Sequence, residues 1–319
     1  MHSKSVKLLC LLIVGGTMAF AQQFEGYSRV KKVHIGQPQP SDASTEEAGP
    51  DFPTSDIDIN LPSAAVAQPN AIGVVIGISE YSNKDVPAVD FARRDAQLMR
   101  EYLVRSMGFK PENIITAYDR EATKGAFNRI FEGQLENFII PGESDVFVYY
   151  SGHGAPDLDN STGYFVAHDT DPNYATLTGY SLDQFYTQLD ALEAKSVTVV
   201  LDACFSGASD VGMLIQQASP IFISVENPAA NLADGVVFTS SSGEQISSWH
   251  REVGHGLFTY YFLKGLRGEA DGDQDSKVTS TEIYGYLMEH VPYLARRMFN
   301  REQTPQLMGD QLDKVLAEY

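Results

Sequence analysis

A cysteine and a histidine in this sequence are flanked in a way that is typical of nucleophilic catalysis. Cys204 lies in the stretch DACFSG at 202–207, and His153 lies in the stretch SGHG at 151–154. A histidine within hydrogen-bond reach of a cysteine can accept the thiol proton and so generate a thiolate nucleophile. Because glycine allows close approach to the main chain, the N–H groups of Gly154 and Cys204 are predicted to bind a developing oxyanion.

Export would leave Cys204 as the only thiol of the protein. The other cysteine, Cys10, falls in an apolar run at 8–20 that follows two lysines and overlaps a small-x-small cleavage site at 19–21. This layout is typical of a secretory signal peptide, and the run is too short to span a bilayer. We therefore predict a secreted or periplasmic protein that is cut near Ala21. A lone thiol cannot form an internal disulfide, so Cys204 is either reactive or an inert buried cysteine.

The overall charge argues against some classes of partner. The sequence of 319 residues has a formal net charge of −19, and loss of Lys4 and Lys7 with the signal peptide would bring it near −21. Such a chain is repelled by nucleic acids and by anionic membrane surfaces, so we predict neither of them as a partner.

Two regions of different character follow the predicted signal peptide. Residues 22–70 are rich in proline, serine and acidic residues, and we interpret them as a flexible linker or pro-segment. Residues 71–319 show short continuous apolar runs that alternate with helical periodicity. This pattern predicts an α/β domain whose mostly parallel sheet is covered by helices on both faces, a three-layer α/β/α sandwich.

The predicted elements of this domain follow one another in a regular order. Buried strands are predicted at 71–78, 113–118, 145–150, 196–201 and 235–240, and helices at 89–103, 123–138, 182–192, 257–266 and 280–294. His153 follows the third strand, and Cys204 follows the fourth. Ligands bind beyond the carboxyl ends of the strands in open parallel sheets. We therefore expect the two side chains to lie at one edge of the sheet.

With these stretches the sequence resembles the caspase-like cysteine peptidases, and among them the bacterial relatives of metacaspases. The resemblance covers about 71–306. It rests on the stretches at 71–81, YSGHG at 150–154, DACFSG at 202–207 and GHGLFT at 254–259. His153 precedes Cys204 by 51 residues, close to the spacing of about 50 in caspases. The resemblance implies a caspase-like fold, a peptide or protein substrate, and His153 as the acid–base partner of Cys204.

His255 is a competing candidate for the acid–base role, since it lies 51 residues after Cys204. It precedes a predicted helix and does not end a buried strand, so we interpret it as a residue at the entry to that helix. The resemblance also assigns the acid–base role to the first of the two GHG stretches. The sequence alone names no third residue that would orient His153.

Acidic residues indicate which substrate side chain would be preferred. Metacaspase-like enzymes prefer Arg or Lys before the scissile bond, and by this resemblance Asp95, Ser151 and Asp202 would line the pocket for it. Asp202, two residues before Cys204, would attract a basic side chain and repel an acidic one. Asp95 interrupts an apolar helical stripe, where a carboxylate needs a partner. As alternatives, Asp95 pairs with a nearby arginine, and Asp202 braces its loop.

A second acidic pattern has the spacing of a calcium-binding loop. The residues at positions 1, 3, 5, 7 and 12 of such a loop would be Asp271, Asp273, Asp275, Lys277 and Glu282. Position 6 is Ser276, although the pattern requires glycine there for the sharp turn. The alternative is an acidic surface loop that ends in a capping box formed by Thr279 and Glu282.

The sequence therefore predicts an exported cysteine endopeptidase that cleaves after Arg or Lys through an acyl-enzyme on Cys204. No cofactor is predicted for the chemistry itself, while Ca²⁺ could have a structural or activating role. Such an enzyme could process itself at the basic cluster RVKK at 29–32, although a solvated charged segment is the alternative there. The alternatives for the whole chain are a peptidase that prefers Asn or Asp, and a calcium-binding caspase-like scaffold without activity.

Overall fold

The structure, a computed structural model, describes residues 52–157, 162–205, 208–209, 212–213, 232–243 and 245–319. The predicted signal peptide, residues 22–51 of the predicted linker with the basic cluster at 29–32, and Ser206 and Gly207 of the DACFSG stretch lie outside the described residues. None of the helices in the described ranges is both long enough and apolar enough to span a bilayer.

The strands and helices of the described residues are numbered in chain order. The strands are β1 (Ile72–Gly77), β2 (Ile114–Tyr118), β3 (Asp145–Ser151), β4 (Gly154–Pro156), β5 (Gly163–Phe165), β6 (Tyr180–Ser181), β7 (Ser196–Asp202), β8 (Ala208–Ser209), β9 (Gly212–Met213), β10 (Gly235–Thr239), β11 (Trp249–His250), β12 (His255–Gly256), β13 (Lys277–Thr279), β14 (Gln306–Gly309) and β15 (Val315–Glu318). The α-helices are α1 (Ala92–Arg105), α2 (Lys124–Arg129), α3 (Ala175–Thr178), α4 (Leu182–Asp190), α5 (Leu257–Lys264) and α6 (Ser280–Phe299).

The central sheet has the strand order β14-β10-β7-β3-β1-β2 among the described residues. β14 runs antiparallel to β10, and all other neighbours in this sheet are parallel. The mostly parallel sheet predicted from the sequence is therefore confirmed. β14 was not predicted, because four residues are too few to show a strand period.

Side chains of the central strands alternate between two hydrophobic layers, one on each face of the sheet. In β3, Val146 and Val148 pack into the layer that contains α2 and α4, whereas Phe147 and Tyr149 pack into the layer of α1, α5 and α6. Because helices cover both faces, each strand is apolar on both sides and appears in the sequence as a continuous apolar run. The predicted three-layer α/β/α sandwich is confirmed.

Residues 52–70 belong to the folded domain, in contrast to the linker predicted for 22–70. They lie in the same compact unit as the rest of the domain, and Ile57 is fully buried. The carbonyl oxygen of Ile57 accepts a hydrogen bond from the hydroxyl of Tyr102 at 2.9 Å. The linker prediction is wrong here because one buried isoleucine among polar residues produces no hydrophobic pattern, and its partners lie far along the chain.

The helix predicted at 123–138 begins as expected but changes its hydrogen-bonding pattern. The hydroxyl of Thr123 caps the start of α2. The chain then continues through a π-helical turn at Ile130–Gln134 and a 3₁₀ turn at Glu136–Phe138. Gly133 lies in the π-helical turn, where its low helix propensity weakens a regular α-helix.

Candidate active site

The carboxyl ends of β3 and β7 lie side by side and open into the loops that carry His153 and Cys204. The two strands are parallel neighbours, and their last residues, Ser151 and Asp202, are partners in the register. The N–H of Gly152 donates a hydrogen bond to the carbonyl oxygen of Asp202 at 3.3 Å. Both loops therefore leave the sheet at the same edge and at the same level.

Two tyrosine hydroxyls and the N–H of Val166, the residue after β5, hold the main chain of His153. The N–H of His153 donates to the hydroxyl of Tyr81 at 2.9 Å, and its carbonyl oxygen accepts from the hydroxyl of Tyr150 at 2.6 Å. The same carbonyl oxygen accepts from the N–H of Val166 at 3.0 Å. The imidazole is buried, and its centroid lies 5.2 Å from that of the Tyr81 ring. These contacts fix the position of the histidine before any substrate binds.

A main-chain carbonyl orients the imidazole of His153. Its Nε2 lies 2.8 Å from the carbonyl oxygen of Pro87. Because a carbonyl oxygen can only accept, Nε2 carries the proton of the neutral ring, and Nδ1 is left as the acceptor. Burial lowers the pKa of His153 to about 4, and the hydrogen bond to Pro87 opposes this effect only in part. At pH 7 the ring is therefore neutral, with Nδ1 as its basic atom.

Cys204 lies just beyond the end of β7, and its sulfur accepts a hydrogen bond from the N–H of Ser247. Burial raises the pKa of the Cys204 thiol above its ordinary value, and the hydrogen bond from Ser247 only partly offsets this rise. A raised thiol pKa and a lowered imidazole pKa both favour the uncharged form of the group. At pH 7 the two residues are therefore a neutral thiol and a neutral imidazole.

Gly154 packs tightly against the main chain that carries Cys204. A Cβ atom at this position would lie 2.8 Å from the carbonyl oxygen of Cys204, so glycine is required for this approach. β4 pairs with β5, and the hydrogen bond from Val166 to His153 makes Gly154 and Phe165 a non-hydrogen-bonded pair. The N–H of Gly154 therefore points away from β5, as the predicted oxyanion donor requires.

One cavity at this edge of the sheet contains all of the predicted catalytic and substrate-pocket side chains. It is lined, among others, by Asp95, Ser151, His153, Asp202, Cys204 and Gly256. Asp95 reaches it from α1, Ser151 and Asp202 from the strand ends, and Gly256 from β12. The sequence thus places these side chains in the right neighbourhood, although their individual roles in substrate binding stay predictions.

The carboxylates of Asp95 and Asp202 converge on Gly256. A Cβ atom at this glycine would lie 2.6 Å from Asp202 Oδ2 and 3.1 Å from Asp95 Oδ2. Asp202 Oδ2 also accepts a hydrogen bond from the hydroxyl of Thr259 at 2.7 Å. Burial raises the pKa of Asp202 to about 6, against the effect of Thr259 and with a further rise caused by the negative charge of Asp95. Burial also raises the pKa of Asp95, against the opposing effect of His255. The cavity therefore brings two carboxyl groups together beside the thiol, and a bound cation would favour their ionised forms.

His255 is fully buried in an ion-pair network and is not among the residues that line the cavity. Its Nδ1 lies 2.5 Å from Asp95 Oδ1, and its Nε2 lies 3.2 Å from Asp58 Oδ1. Burial lowers the pKa of His255, but the carboxylates of Asp95 and Asp58 outweigh this effect and raise it to about 9. His255 lies in β12 directly before α5, as a helix-entry residue does. The partner of Asp95 is this histidine and not the arginine considered from the sequence.

The predicted calcium loop gathers its first three ligands. Carboxylate oxygens of Asp271, Asp273 and Asp275 all lie within 4.8 Å of one another. Ser276 adopts a φ of 67°, the left-handed conformation for which the loop pattern normally uses glycine. Lys277, whose carbonyl oxygen would be the next ligand, lies in β13. The donor set at this end of the loop fits a hard cation that prefers oxygen ligands.

The last predicted calcium ligand, Glu282, is engaged in a helix cap. Its Oε2 accepts hydrogen bonds from the N–H of Thr279 at 2.9 Å and from the Thr279 hydroxyl at 2.8 Å. The capping box that was the alternative for this loop is therefore present. Glu282 would have to leave these contacts to complete a calcium site, so binding of Ca²⁺ here stays a prediction.

Comparison with known protein families identifies the group to which this sequence belongs. The sequence profile of the caspase domain, a family of cysteine peptidases, matches residues 71–317. The chain belongs to this family. The matched range contains His153, Cys204 and the acidic residues of the cavity, whereas Asp58 precedes it. Among curated proteins, none matches the sequence.

Solved structures of the caspase fold share the architecture of this chain at low sequence identity. Caspase-1 from Spodoptera frugiperda is 14% identical, with a TM-score of 0.54, and the match covers 84% of this chain and 97% of that chain. Protein GSU0716 from Geobacter sulfurreducens is 16% identical, with a TM-score of 0.52, and the match covers 77% of this chain and 97% of that chain. At these identities the likeness shows the fold alone.

Several residues of the site give no signal in the sequence. Pro87 and Ser247 act through main-chain atoms, which any residue type supplies. Trp249 is the one tryptophan of the chain, and that rarity could have drawn attention to it. Trp249 lines the cavity and packs edge-on against Phe91, with 6.2 Å between the ring centroids. The guanidinium of Arg251 lies over its ring, 5.0 Å from the centroid.

We predict that alkylation of Cys204 by iodoacetamide follows the titration of a high-pKa thiol. Because the resting thiol is neutral, the rate should rise about tenfold per pH unit from pH 6 to pH 9, without an earlier plateau. The measurement is the pseudo-first-order rate of mass gain on the intact protein, with Cys204→Ala as the unlabelled control. A rate that is already constant below pH 7 would show a thiolate–imidazolium pair and would contradict the neutral resting state.

We predict that Ca²⁺ stabilises the folded protein through the loop at 271–282. A cation at 100 times its Kd adds about 2.7 kcal/mol to the free energy of unfolding, which corresponds to a shift of a few degrees in Tm for a domain of this size. The measurement is Tm in CaCl₂ and in EDTA for wild type, Asp273→Asn, and the exposed control Glu289→Gln. Equal Tm values in CaCl₂ and in EDTA for the wild type would rule out the site.

Proposed function

We propose that the protein is an exported cysteine endopeptidase that hydrolyses peptide bonds after arginine or lysine. The observation that carries this proposal is the convergence of the Asp95 and Asp202 carboxylates on Gly256, in the cavity that also contains Cys204. Buried carboxylates this close together repel one another, and a cationic side chain between them relieves that repulsion. The residue before the scissile bond is the one whose side chain enters a pocket beside the nucleophile.

The same charges argue against acidic and neutral residues at this substrate position. An aspartate would add a further carboxylate to a cavity that already contains Asp95 and Asp202, and an asparagine would not neutralise them. Each charge-assisted hydrogen bond to a guanidinium or ammonium group contributes roughly 1.5–3 kcal/mol. Bonds to both carboxylates would therefore favour a basic substrate over a neutral isostere by about a hundredfold or more.

Acylation in the proposed mechanism starts from the neutral thiol and the neutral imidazole. Nδ1 of His153 accepts the thiol proton of Cys204 while the sulfur attacks the carbonyl carbon of the substrate. The oxyanion that forms accepts hydrogen bonds from the N–H groups of Gly154 and Cys204. The imidazolium then gives its Nδ1 proton to the leaving amine nitrogen, the C–N bond breaks, and a thioester remains on the sulfur. The Pro87 carbonyl accepts from Nε2–H throughout.

Hydrolysis of the thioester reverses the roles of the groups. Nδ1 of His153 accepts a proton from water, and the hydroxide attacks the thioester carbonyl carbon, with the oxyanion again held by the two N–H groups. The C–S bond then breaks, the carboxylic acid product leaves, and the sulfur of Cys204 recovers its proton from the imidazolium. The neutral resting pair is restored without any added cofactor.

An inactive scaffold is a weaker candidate for this chain. A binding protein gains nothing from a histidine that is oriented by Pro87 so that Nδ1 stays basic. Nor does it need the main-chain N–H of residue 154 to face away from its own sheet. These features serve proton transfer and oxyanion binding, and they add little to the stability of the fold.

We predict cleavage of fluorogenic peptides that carry Arg or Lys before the reporter amide. Because a cation is required between Asp95 and Asp202, kcat/KM for an Arg peptide should exceed that for its neutral isostere citrulline by about a hundredfold. Asp202→Asn should reduce this ratio by about tenfold or more, since one charge-assisted hydrogen bond is lost. Cys204→Ala and His153→Ala serve as controls that should have no measurable activity.

The panel should also contain Asn and Asp peptides, and each assay should be run with CaCl₂ and with EDTA. Faster cleavage of the Asp or Asn peptide than of the Arg peptide would overturn the proposed preference. Activity that survives in the Cys204→Ala variant would overturn the proposed nucleophile.

We predict that export and self-processing leave different N-termini. Signal-peptide cleavage near Ala21 depends on the host, so wild type and Cys204→Ala recovered outside the cytoplasm should both show that terminus. Cleavage within 29–32 requires the enzyme itself, so only wild type should also start there. N-terminal sequencing measures both. Retention of residues 1–21 in protein recovered outside the cytoplasm would refute cleavage near Ala21, and recovery from the cytoplasm alone would refute export. Identical termini in the two proteins would refute self-processing at 29–32.

A further inference from the structure

Asp58 joins the segment before the matched caspase domain to the acidic cavity through one buried histidine. The Asp58 carboxylate and the Asp95 carboxylate lie on opposite nitrogens of the His255 ring, at 3.2 Å and 2.5 Å. An imidazole that meets an anionic acceptor at each nitrogen donates from both only as the imidazolium. The geometry therefore selects the charged form of His255.

We propose that Asp58 is a positioning residue for substrate recognition, which keeps His255 cationic so that Asp95 and Asp202 can both be ionised to receive a basic side chain. This inference rests on the proposed preference for Arg and Lys. It assigns a role to a residue that precedes the range 71–317 matched by the caspase domain.

The charge of His255 matters because of where the Asp95 carboxylate is directed. Asp95 Oδ1 faces His255, whereas Asp95 Oδ2 accepts a hydrogen bond from the N–H of Gly256 at 2.8 Å. Asp202 Oδ2 lies close to the Cα of the same glycine. Burial raises the pKa of Asp95. The positive charge of His255 on one side of Asp95 opposes this rise and offsets the repulsion from Asp202 on the other side. Without it, the two carboxylates would share a proton at neutral pH, and the shared proton would have to leave before a cation could bind.

Other charged groups around His255 do not replace Asp58. The titratable and charged groups that face this network come from four elements of the fold: Arg94 and Asp95 of α1, Asp202 of β7, His250 of β11, and Asp58 itself. Arg94 is bound to Asp58 Oδ2 at 2.8 Å and to the carbonyl oxygen of Pro53 at 2.8 Å. Among these described groups, Asp58 is the acceptor for Nε2 of His255.

The segment that carries Asp58 is anchored by contacts that do not involve the cavity. Asp56 accepts hydrogen bonds from the hydroxyl of Tyr260 at 2.9 Å and from Nζ of Lys264 at 2.7 Å. Asp56 therefore offers a matched control, because Asp56→Asn removes the same charge from the same segment without touching His255. A general loosening of the segment would affect both variants, whereas loss of the His255 charge would affect only Asp58→Asn.

The test compares wild type, Asp58→Asn and Asp56→Asn over the range from about pH 5.5 to pH 9. The measured quantity is the ratio of kcat/KM for an Arg peptide to kcat/KM for its citrulline isostere. For Asp58→Asn this ratio should fall about tenfold at pH 7, because a rise of one unit in the pKa of the Asp95–Asp202 pair reduces its ionised fraction about tenfold. The loss should appear as a higher KM for the Arg peptide, with kcat nearly unchanged. The ratio should recover as the pH rises and the carboxyl groups ionise. Asp56→Asn should follow the wild type.

A second measurement reads the histidine directly and does not depend on activity. In full-length protein with Cys204→Ala and labelled histidines, the His255 ring signal should titrate near pH 9; the additional Asp58→Asn change should lower that midpoint by at least about one unit. His255→Gln assigns the signal.

An unchanged midpoint in Asp58→Asn, or an Arg-to-citrulline ratio that changes equally in Asp56→Asn, would overturn the inference. A wild type that does not prefer Arg over citrulline would overturn the proposed substrate preference, while the ring titration would still decide the role of Asp58.

Discussion

Parallel pairing of β3 with β7 is the constraint on which the rest of the site depends. With Ser151 opposite Asp202 in the register, the residues that follow each strand must emerge at the same edge of the sheet. His153 and Cys204 lie only two residues beyond those ends, so the short connections to the strands restrict where the two side chains can lie. Helices on both faces bury the two strands, and this burial makes a slip of the register costly.

Two electrostatic environments lie next to one another at this edge. The imidazole is buried and the thiol is partly buried, and neither is paired with a positive or negative partner in the part of the chain that the structure describes. Both surroundings favour the neutral form of the group. In the second environment, the carboxylates of Asp58 and Asp95 contact the buried ring of His255, whose position between two anionic acceptors favours the imidazolium form. In the proposed mechanism, the chemistry depends on His153 and the recognition of charge depends on His255, although each follows a glycine in a GHG stretch.

The sequence predicts the features that depend on local pattern and misses those that depend on distant contacts. Continuous apolar runs predict β1, β3 and β7 within one or two residues, because burial on both faces determines their composition. The same logic places the loops of His153 and Cys204 at one edge. It could not find the contact between Asp58 and His255, which are 197 residues apart, nor the fold of the segment around Ile57. Such contacts depend on the tertiary structure and produce no periodic pattern in the sequence.

The group that orients His153 is a carbonyl oxygen, and this has a consequence for how the site tolerates change. Replacing Pro87 by another amino acid alters a side chain but leaves an oxygen on the same backbone, so a screen of point mutations would score the position as permissive. The contact does depend on the path of the chain between β1 and α1. Insertions and deletions there, more than substitutions, are the changes that would move the Pro87 carbonyl away from the imidazole of His153.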